Sequence, residues 1–577
     1  MSSQYHPAGD TPAVSGGLFR SGTETKATET KPTETKPTDT KAGETDAAGS
    51  VRSLIAHRYL EVAVVTLGAL LAGAAYAWFA GEDINWDWQN YHEYGAFALL
   101  NGRLDQDVAP GGFQSFLNPL PYVPAYLLRH LVGAPFWGVW LGALHGLNLA
   151  LIWWFTRVVL RGAAKLWTSA AAVVIAAFGP MTLSEVGTSF ADILTALPVI
   201  AGVGLMLSAS AQQRARYLVA GLLIGAAVGL KLTNMVFLIG AAMSLFYAAR
   251  PVTALACFGL GAGIGALGTG GAWAFTLWQE FGNPLFPFYN GIFHSPEAAL
   301  QSFADLRFMP RSLWEAFTYP FYWAIGDHRS SEWAFRDPRF AIAFVLFAAA
   351  IGVGLLFRLR MFTRRDKQFV LFFLAAYLAW LLEFSIHRYA IVLELLCAPL
   401  ILLLVLRLSS ALNRRHFAQH HAAWTHLATI ALAIVIALWS QPADWLRRPW
   451  SDPYQPQLPQ ALSKAATYLL IEKPLGYIVP LLAPGSRAYQ LSDILLPVVP
   501  DGLLDRRIRD GLAHPLPGGV WAMHRQGDAL RQCLLEDYGL EIDASRACAV
   551  IPGADRTGIE ACPLRASPQP ASHASTC

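Results

Sequence analysis

The sequence predicts an all-α polytopic membrane protein of about eleven transmembrane helices, followed by a small C-terminal α/β domain outside the membrane. Three observations predict it. Hydrophobic residues make up 54% of the 577 and charged residues only 14%, and mean hydropathy is +0.36, more apolar surface than a soluble domain can bury. From Val51 onward, long apolar runs alternate with short charged connectors. From about residue 442 the chain turns rich in Pro and charge and has no run of membrane length. A net charge of +3 gives no nucleic-acid surface.

Residues 1–50 form a separate segment. Thr23-Glu24-Thr25-Lys26 recurs as Thr28-Glu29-Thr30-Lys31, Thr33-Glu34-Thr35-Lys36 and Thr38-Asp39-Thr40-Lys41, a polar low-complexity tract with no apolar face to bury. It is expected to be a disordered cytoplasmic tail, and it lacks the apolar core and cleavage site of a signal peptide. The membrane domain follows over 51–441, with spans near 59–80, 135–156, 167–180, 190–208, 217–231, 234–249, 253–277, 340–357, 369–385, 390–406 and 423–440. With Arg52 and Arg58 inside, the basic connectors holding Arg157, Arg161, Lys165, Arg214, Arg216, Arg250, Arg358, Arg360, Arg364, Arg365, Lys367, Arg407, Arg414 and Arg415 all fall on the cytoplasmic side. Arg129 and His130 are the exceptions. The N-terminus is then inside, the C-terminus outside, and the long outer loops are about 81–134 and 278–338. Phe116–Leu131 carries Pro119, Pro121 and Pro124 in its first half and is about 16 residues long. It reads as a helix along the outer face, because counting it as a span would reverse every later one.

The first outer loop opens with Asn85-Trp86-Asp87-Trp88-Gln89-Asn90-Tyr91-His92-Glu93-Tyr94. A carboxylate at a helix mouth among Trp, Tyr, Asn and His suits a polar substrate held at the lipid boundary, which makes Asp87 the candidate catalytic group. The same topology brings Glu185, Asp192, Lys231, Asn234, His387, Arg388 and Tyr389 to that face from distant positions. Charges at membrane depth are costly and mark substrate pathways, and Arg and Lys beside carboxylates suit a phosphate next to a hydroxyl being deprotonated. Taken singly, a Lys or Arg at a helix end usually snorkels to the interface, a Glu in a turn is solvated or caps a helix, and Asp192 pairs with a basic group or sits at a helix N-terminus. Their convergence is what favours one shared site.

These residues resemble the GT-C superfamily of integral-membrane glycosyltransferases, which includes the protein O-mannosyltransferases and the lipid A aminoarabinose transferases. Members carry an acidic residue in the first outer loop, often as Asp-Glu-x-x-Tyr/Phe. Asp87-Trp88-Gln89-Asn90-Tyr91 keeps the Asp and the aromatic, with Trp88 in place of the Glu, which sets it apart from the mannosyltransferase-like branch. Asn101-Gly102-Arg103 with Asn118-Pro119, Ser184-Glu185-Val186-Gly187-Thr188 with Asp192, Gly282-Asn283-Pro284-Leu285-Phe286-Pro287-Phe288-Tyr289-Asn290, and His387-Arg388-Tyr389 extend the likeness over roughly 55–440. The resemblance implies a GT-C-like arrangement of helices in a bacterial inner membrane. It also implies inverting transfer of a hexosyl or pentosyl group from a polyprenyl-phosphate sugar to a lipid, glycan or protein acceptor. Asp87 would orient or deprotonate the acceptor, and Arg388 and Lys231, helped by His387, would stabilise the departing phosphate. Glu185 and His92 would bind hydroxyls, with Asp192 and Tyr389 in the same substrate-binding set, while Trp86, Trp88 and Tyr91 would offer stacking faces. Some members use a divalent metal and others none; Asp87 and Glu185 would share one if present, and the cofactor stays open.

The outer loop 278–338, with His328 and Arg329 best placed to reach phosphate, folds either as a lid of amphipathic helices or as caps on helix ends. The segment 442–577 holds Cys533, Cys548, Cys562 and Cys577, which allow three disulfide pairings outside, and its end after about Pro563 is expected to be disordered. Cys257 and Cys397 fall in apolar spans and read as core residues. Two other function classes share these features: a transporter, which should show internal repeats and broken helices at the bilayer midplane, and a non-catalytic envelope-assembly protein, which gives no reason for the charged groups to converge. No repeat is present in the membrane region.

Overall fold

The computed structural model describes residues 41–163, 166–300, 305–327, 329–413, 421–450, 456, 458–493, 496–528, 530–555 and 557–568. Residues 1–40 of the predicted tail, and the end of the chain from 569, lie outside them. Two units are distinguished, residues 1–61 and 62–577. In the first, the residues from Lys41 are helical. That stretch follows the last proline of the tract and contains the good helix formers Lys41, Glu44, Ala47 and Ala48.

Each predicted span coincides with a helix. They are Lys41–Ala80, Phe136–Leu160, Leu166–Ala177, Ala191–Ser208, Arg214–Leu230, Met235–Ser244, Pro251–Phe281, Arg339–Leu356, Arg364–Glu383, Ile391–Asn413 and His421–Trp439. Among the described residues, six helices are long and apolar enough to cross a membrane: Tyr59–Ala80, Phe136–Ala163, Ala191–Ser208, Pro251–Phe281, Arg339–Leu356 and His387–Ala411. This is an integral membrane protein. The others are shorter or less apolar, so their crossing needs tilt or recessed ends. Val123–Leu131 has nine residues, a rise of about 13 Å against a hydrocarbon core of about 30 Å. It is too short to cross, in keeping with its reading as a surface helix.

Ile391–Asn413 is the centre of the bundle. Ile391, Val392, Leu393, Leu395, Leu396 and Ile401 are all buried, and the helix packs against Phe136–Leu160, Leu166–Ala177, Ala191–Ser208, Arg339–Leu356 and His421–Trp439. Elsewhere close approach depends on glycine. Gly221, Gly225 and Gly229 recur every fourth residue on Arg214–Leu230 and face Pro251–Phe281. A Cβ at Gly225 would stand 2.1 Å from the Ala262 carbonyl oxygen, and Cβ atoms at Gly261 and Gly265 would meet the Leu218 and Leu222 carbonyl oxygens at 2.0 and 2.1 Å. Apolar side chains gain nothing by leaving lipid for one another, so small residues that let backbones touch supply the association.

After the last long helix the chain returns to the first outer loop. β1 (Glu82–Asp83) pairs antiparallel with β2 (Arg447–Arg448). The sheet beyond comprises β3 (Thr467–Leu470), β4 (Arg487–Gln490), β5 (Val520–Arg525), β6 (Leu540–Ile542), β7 (Ala549–Pro552) and β8 (Gly558–Ala566). β3 is parallel to both β4 and β5, while β8 pairs antiparallel with β5, β6 and β7. With the helix Leu503–Ala513 this is the mixed α/β unit expected. β8 continues to Ala566 through register with β6, so the chain is ordered three residues past Pro563. Cys548 and Cys562 are disulfide-bonded, joining the start of β7 to β8. The first outer loop is clamped to this sheet. Val108 donates to the Ala488 carbonyl at 3.0 Å and accepts from Gln490 N–H at 2.8 Å, and Arg103 bridges Asp107 at 2.7 Å.

The glycine contact gives a paired prediction. Gly225→Val should lower the melting temperature of the purified protein in detergent, with a cost of about 1–3 kcal/mol or more from overpacking. Gly263→Ala, where an added Cβ meets nothing within 4 Å, should leave it unchanged. Equal effects from the two would show that the helix contact is not what glycine serves there.

Candidate active site

The first helix ends at Ala80, and the loop after it is fixed by the buried Asp83. One carboxylate oxygen accepts from the Asn85 backbone and side-chain N–H groups at 3.1 and 2.6 Å; the other accepts from Ser189 N–H at 2.8 Å and Ser189 Oγ at 2.9 Å. Asn85 Oδ1 in turn accepts from Trp88 N–H at 2.8 Å, starting the wide π-helical turn Trp88–His92. Asp87 is thereby held between a strand end and a helical turn and faces a cavity of about 2000 Å³.

That cavity gathers part of the predicted set. Asp87, Lys231, Arg388 and Tyr389 all line it, with Trp86, Tyr91 and Glu332. Arg388 Nη1 donates to Asp87 Oδ2 across 301 positions of sequence, and its other terminal nitrogen lies 3.9 Å from Glu332. Lys231 Nζ bridges Asp192 Oδ2 at 2.6 Å and stands 4.9 Å from the Tyr389 ring centroid. Asp192 therefore backs Lys231 rather than lining the cavity. Burial pushes the Asp87 carboxyl up, but the adjacent Arg388 guanidinium outweighs it and holds the group below the usual carboxylate range.

Three predicted residues lie behind this surface. Glu185 is wholly buried; one of its oxygens accepts from Ile193 N–H at 3.1 Å, and burial together with Asp192 pushes its carboxyl well above the ordinary value. His92 Nδ1 is 2.8 Å from Ser189 Oγ and its ring stacks on Tyr122 at 4.1 Å; burial pushes it down to about 3, so it is neutral at physiological pH. His387 is fully buried among the rings of Trp323, Phe335 and Phe340, with Nε2 3.7 Å from Asp337 and 3.6 Å from Glu394. It points away from the cavity because Arg339, Asp337 and Glu394 form a buried charged cluster beside it. Arg339 bridges Asp337 at 2.7 Å and Glu394 at 3.3 Å, and Glu394 also caps Met181 and Thr182 N–H at 3.1 and 2.8 Å.

Several other expectations are revised. Trp88 is 3% exposed and is packed under the Arg129 guanidinium at 4.0 Å, so Trp86, 40% exposed, is the ring that faces the cavity. Arg329 is occupied by Glu315 and Asp327, both at 2.6 Å, and His328 lies outside the described residues. Arg129 and His130, the exceptions to the charge rule, are matched by Glu82 at 3.1 Å and Glu93 at 2.7 Å. Loop 278–338 contributes Pro284, Phe288, Asp305, Arg307 and Glu332 to the cavity wall, and its helix Leu313–Ile325 exposes Leu313, Trp314 and Phe317. Among the described residues, two clusters have metal-ligand composition, Asp337–His387–Glu394 and His524–Glu560–Cys562. In the first Arg339 supplies the positive charge, and in the second Cys562 is committed to its disulfide. Sequence reading missed Arg339 and Glu394, although each stands at the start of a long apolar run where a buried charge demands a partner.

Residues 116–383, 268 of the 577, match the model of Glycosyltransferase family 87. Over that region, just under half of the chain, the sequence is similar to this glycosyltransferase family. Among solved structures, that of ArnT from Cupriavidus metallidurans bound to undecaprenyl phosphate aligns over 88% of this chain and 98% of its own, at 14% identity and a TM-score of 0.49. No curated protein matches.

Removing one member of the buried cluster leaves an unpaired charge. Asp337→Ala should destabilise the protein by about 3–5 kcal/mol, read as a large fall in melting temperature in detergent. An unaltered melting temperature would exclude a structural role for the cluster.

Proposed function

We propose that this protein moves a sugar from a polyprenyl-phosphate carrier to an envelope acceptor at the outer face of a bacterial inner membrane, with inversion. The observation that carries the reading is the Asp87–Arg388 pair, with Lys231 beside it, at one end of a large cavity whose wall also includes Leu230, Leu267 and Leu382. Carboxylate, guanidinium, ammonium and apolar wall are the four surfaces that a lipid-phosphate donor and a hydroxyl acceptor need in common.

The roles follow from the charges. Arg388 and Lys231 take the donor phosphate, Arg388 through its planar fork, and stabilise negative charge as the sugar leaves. Once the phosphate offsets the Arg388 charge, burial weighs more heavily on Asp87, whose carboxyl rises toward a value suited to accepting the acceptor's proton. Asp192 holds Lys231 in place, and Tyr389 supports both cations. Glu185 and His92 are buried behind the Asp87 wall, Glu185 on Ile193 N–H and His92 on Ser189, and His387 anchors the helix end that presents Arg388.

The N-terminus is read as cytoplasmic and the C-terminus as outside, with 442–577 as an extracytoplasmic domain. Its support is the one-sided distribution of the basic connectors together with the Cys548–Cys562 disulfide, which suits an oxidising compartment. A transporter reading is less well supported, because the charged groups gather at helix ends around one cavity.

Asp87→Asn should still insert in the membrane, with a lowered melting temperature, and the folded protein should lose transfer from a polyprenyl-phosphate sugar by about 10²–10⁴-fold; Arg388→Lys, which keeps the charge and loses the fork, should also lose activity. Transfer at the native rate by Asp87→Asn would remove Asp87 from catalysis. The pH profile carries a sign as well. Asp87 is depressed in the free protein and must be ionised to act, so kcat/KM should stay flat on the acid side down to about pH 4, with the acid limb of kcat lying higher. An acid limb of kcat/KM above pH 6 would assign that limb to another group.

A further inference from the structure

Strands β4, β3 and β5 lie side by side and parallel in that order, so the chain leaves β3 for one neighbour and later returns on its other side. In open α/β sheets such a reversal is a topological switch point, and ligands bind outside the carboxyl ends of the strands around it. Leu470 and Gln490, the last residues of β3 and β4, are register partners. Just beyond them come Glu472, Lys473, Ser492 and Asp493, and all four line the cavity that Asp87 lines.

The first outer loop completes this edge with Trp86 and Phe113. Lys473 Nζ is 3.2 Å from Asp493 Oδ2, 5.5 Å from the Phe113 ring centroid and 5.9 Å from that of Trp86. Asp493 Oδ2 also accepts from Phe113 N–H at 2.7 Å, and a Cβ at Gly112, where φ is +63°, would stand 1.8 Å from that same oxygen. The loop backbone is therefore pressed against this carboxylate, and only glycine permits the approach. Trp86 stays 40% exposed, and its ring hangs from a Cα about 3.8 Å from that of Asp87.

An aromatic face flanked by carboxylates and an ammonium matches a pyranose, which offers an apolar C–H face and a rim of hydroxyls that both donate and accept. Glu472, Asp493 and Lys473 sum to one negative charge, which disfavours an anionic group beside them, in contrast to Arg388 and Lys231. We propose that the carboxyl edge of β3 and β4, with Trp86 and Phe113, is a neutral-saccharide subsite that holds the sugar of the acceptor. Its assignment to the acceptor rests on the transferase reading above, whereas saccharide binding itself does not.

The test is binding, measured by saturation-transfer difference NMR on the full chain in lipid nanodiscs, with maltose, cellobiose and glucose 6-phosphate as probes. A neutral disaccharide should bind. Trp86→Ala and Asp493→Asn should each weaken it at least tenfold with the melting temperature kept, and Trp86→Phe should restore most of it. Binding of neither disaccharide, preference for the phosphorylated sugar, or binding indifferent to Trp86→Ala and Asp493→Asn would overturn the proposal. Saccharide binding at this edge without any sugar transfer would refute the transferase reading and leave the subsite standing.

Discussion

A buried carboxylate next to a buried guanidinium, Asp87 with Arg388, is the interaction on which the arrangement of this protein turns. Neither charge is tolerable alone at that depth, since removing one partner leaves the other desolvated and uncompensated. The pair therefore fixes the first outer loop against the start of the central helix. Once that distance is set, Lys231, Tyr389 and Glu332 fall around the same cavity. In the proposed reaction an incoming phosphate would unmake the pair, and this would couple binding of the donor to the basicity of Asp87.

The supports beneath the site share one logic. The central helix presents Arg388 from a turn whose other face carries His387 into the Asp337–Arg339–Glu394 cluster, so the fork cannot rotate without disturbing buried charge. The loop carrying Asp87 is held from below by Asp83 and Ser189 and from the side by Glu82, which Arg448 and Arg129 bridge at 2.6 and 3.1 Å. Each of these carboxylates meets a donor from a distant segment, so the chain before the second span and the chain after the last long helix are bound at one place.

The sheet adds a second kind of surface. The carboxyl ends of β3 and β4 lead to the cavity, where helix ends contribute Lys231 and Arg388 and the sheet contributes Glu472, Lys473, Ser492 and Asp493. An anion-seeking group and a sugar-seeking edge on one cavity, as proposed, would give the polarity that a two-substrate transfer demands.

How much of this was legible in the sequence depends on the range of the interaction. Apolar length and basic connectors located every long helix, because bilayer thickness acts on each segment separately. Of the residues they grouped, Asp87, Lys231, Arg388 and Tyr389 line one cavity, because a residue at a helix end has few places to go. The sequence could not determine which way a polar side chain turns. Trp88 and Trp86 are two positions apart in nearly identical surroundings, yet one lies under Arg129 and the other faces the cavity. His387 and Arg388 are adjacent and point to opposite sides of a helix start. Glu394 reads as an isolated acid in an apolar run until Arg339, 55 positions earlier, is folded against it. Lys473 and Asp493 meet the Asp87 loop only because β3 and β4 are parallel and in register. Local hydrophobicity and charge determined the elements and their sides; pairing between segments far apart in sequence, driven by the cost of burying a charge unmatched, was decided by the tertiary structure alone.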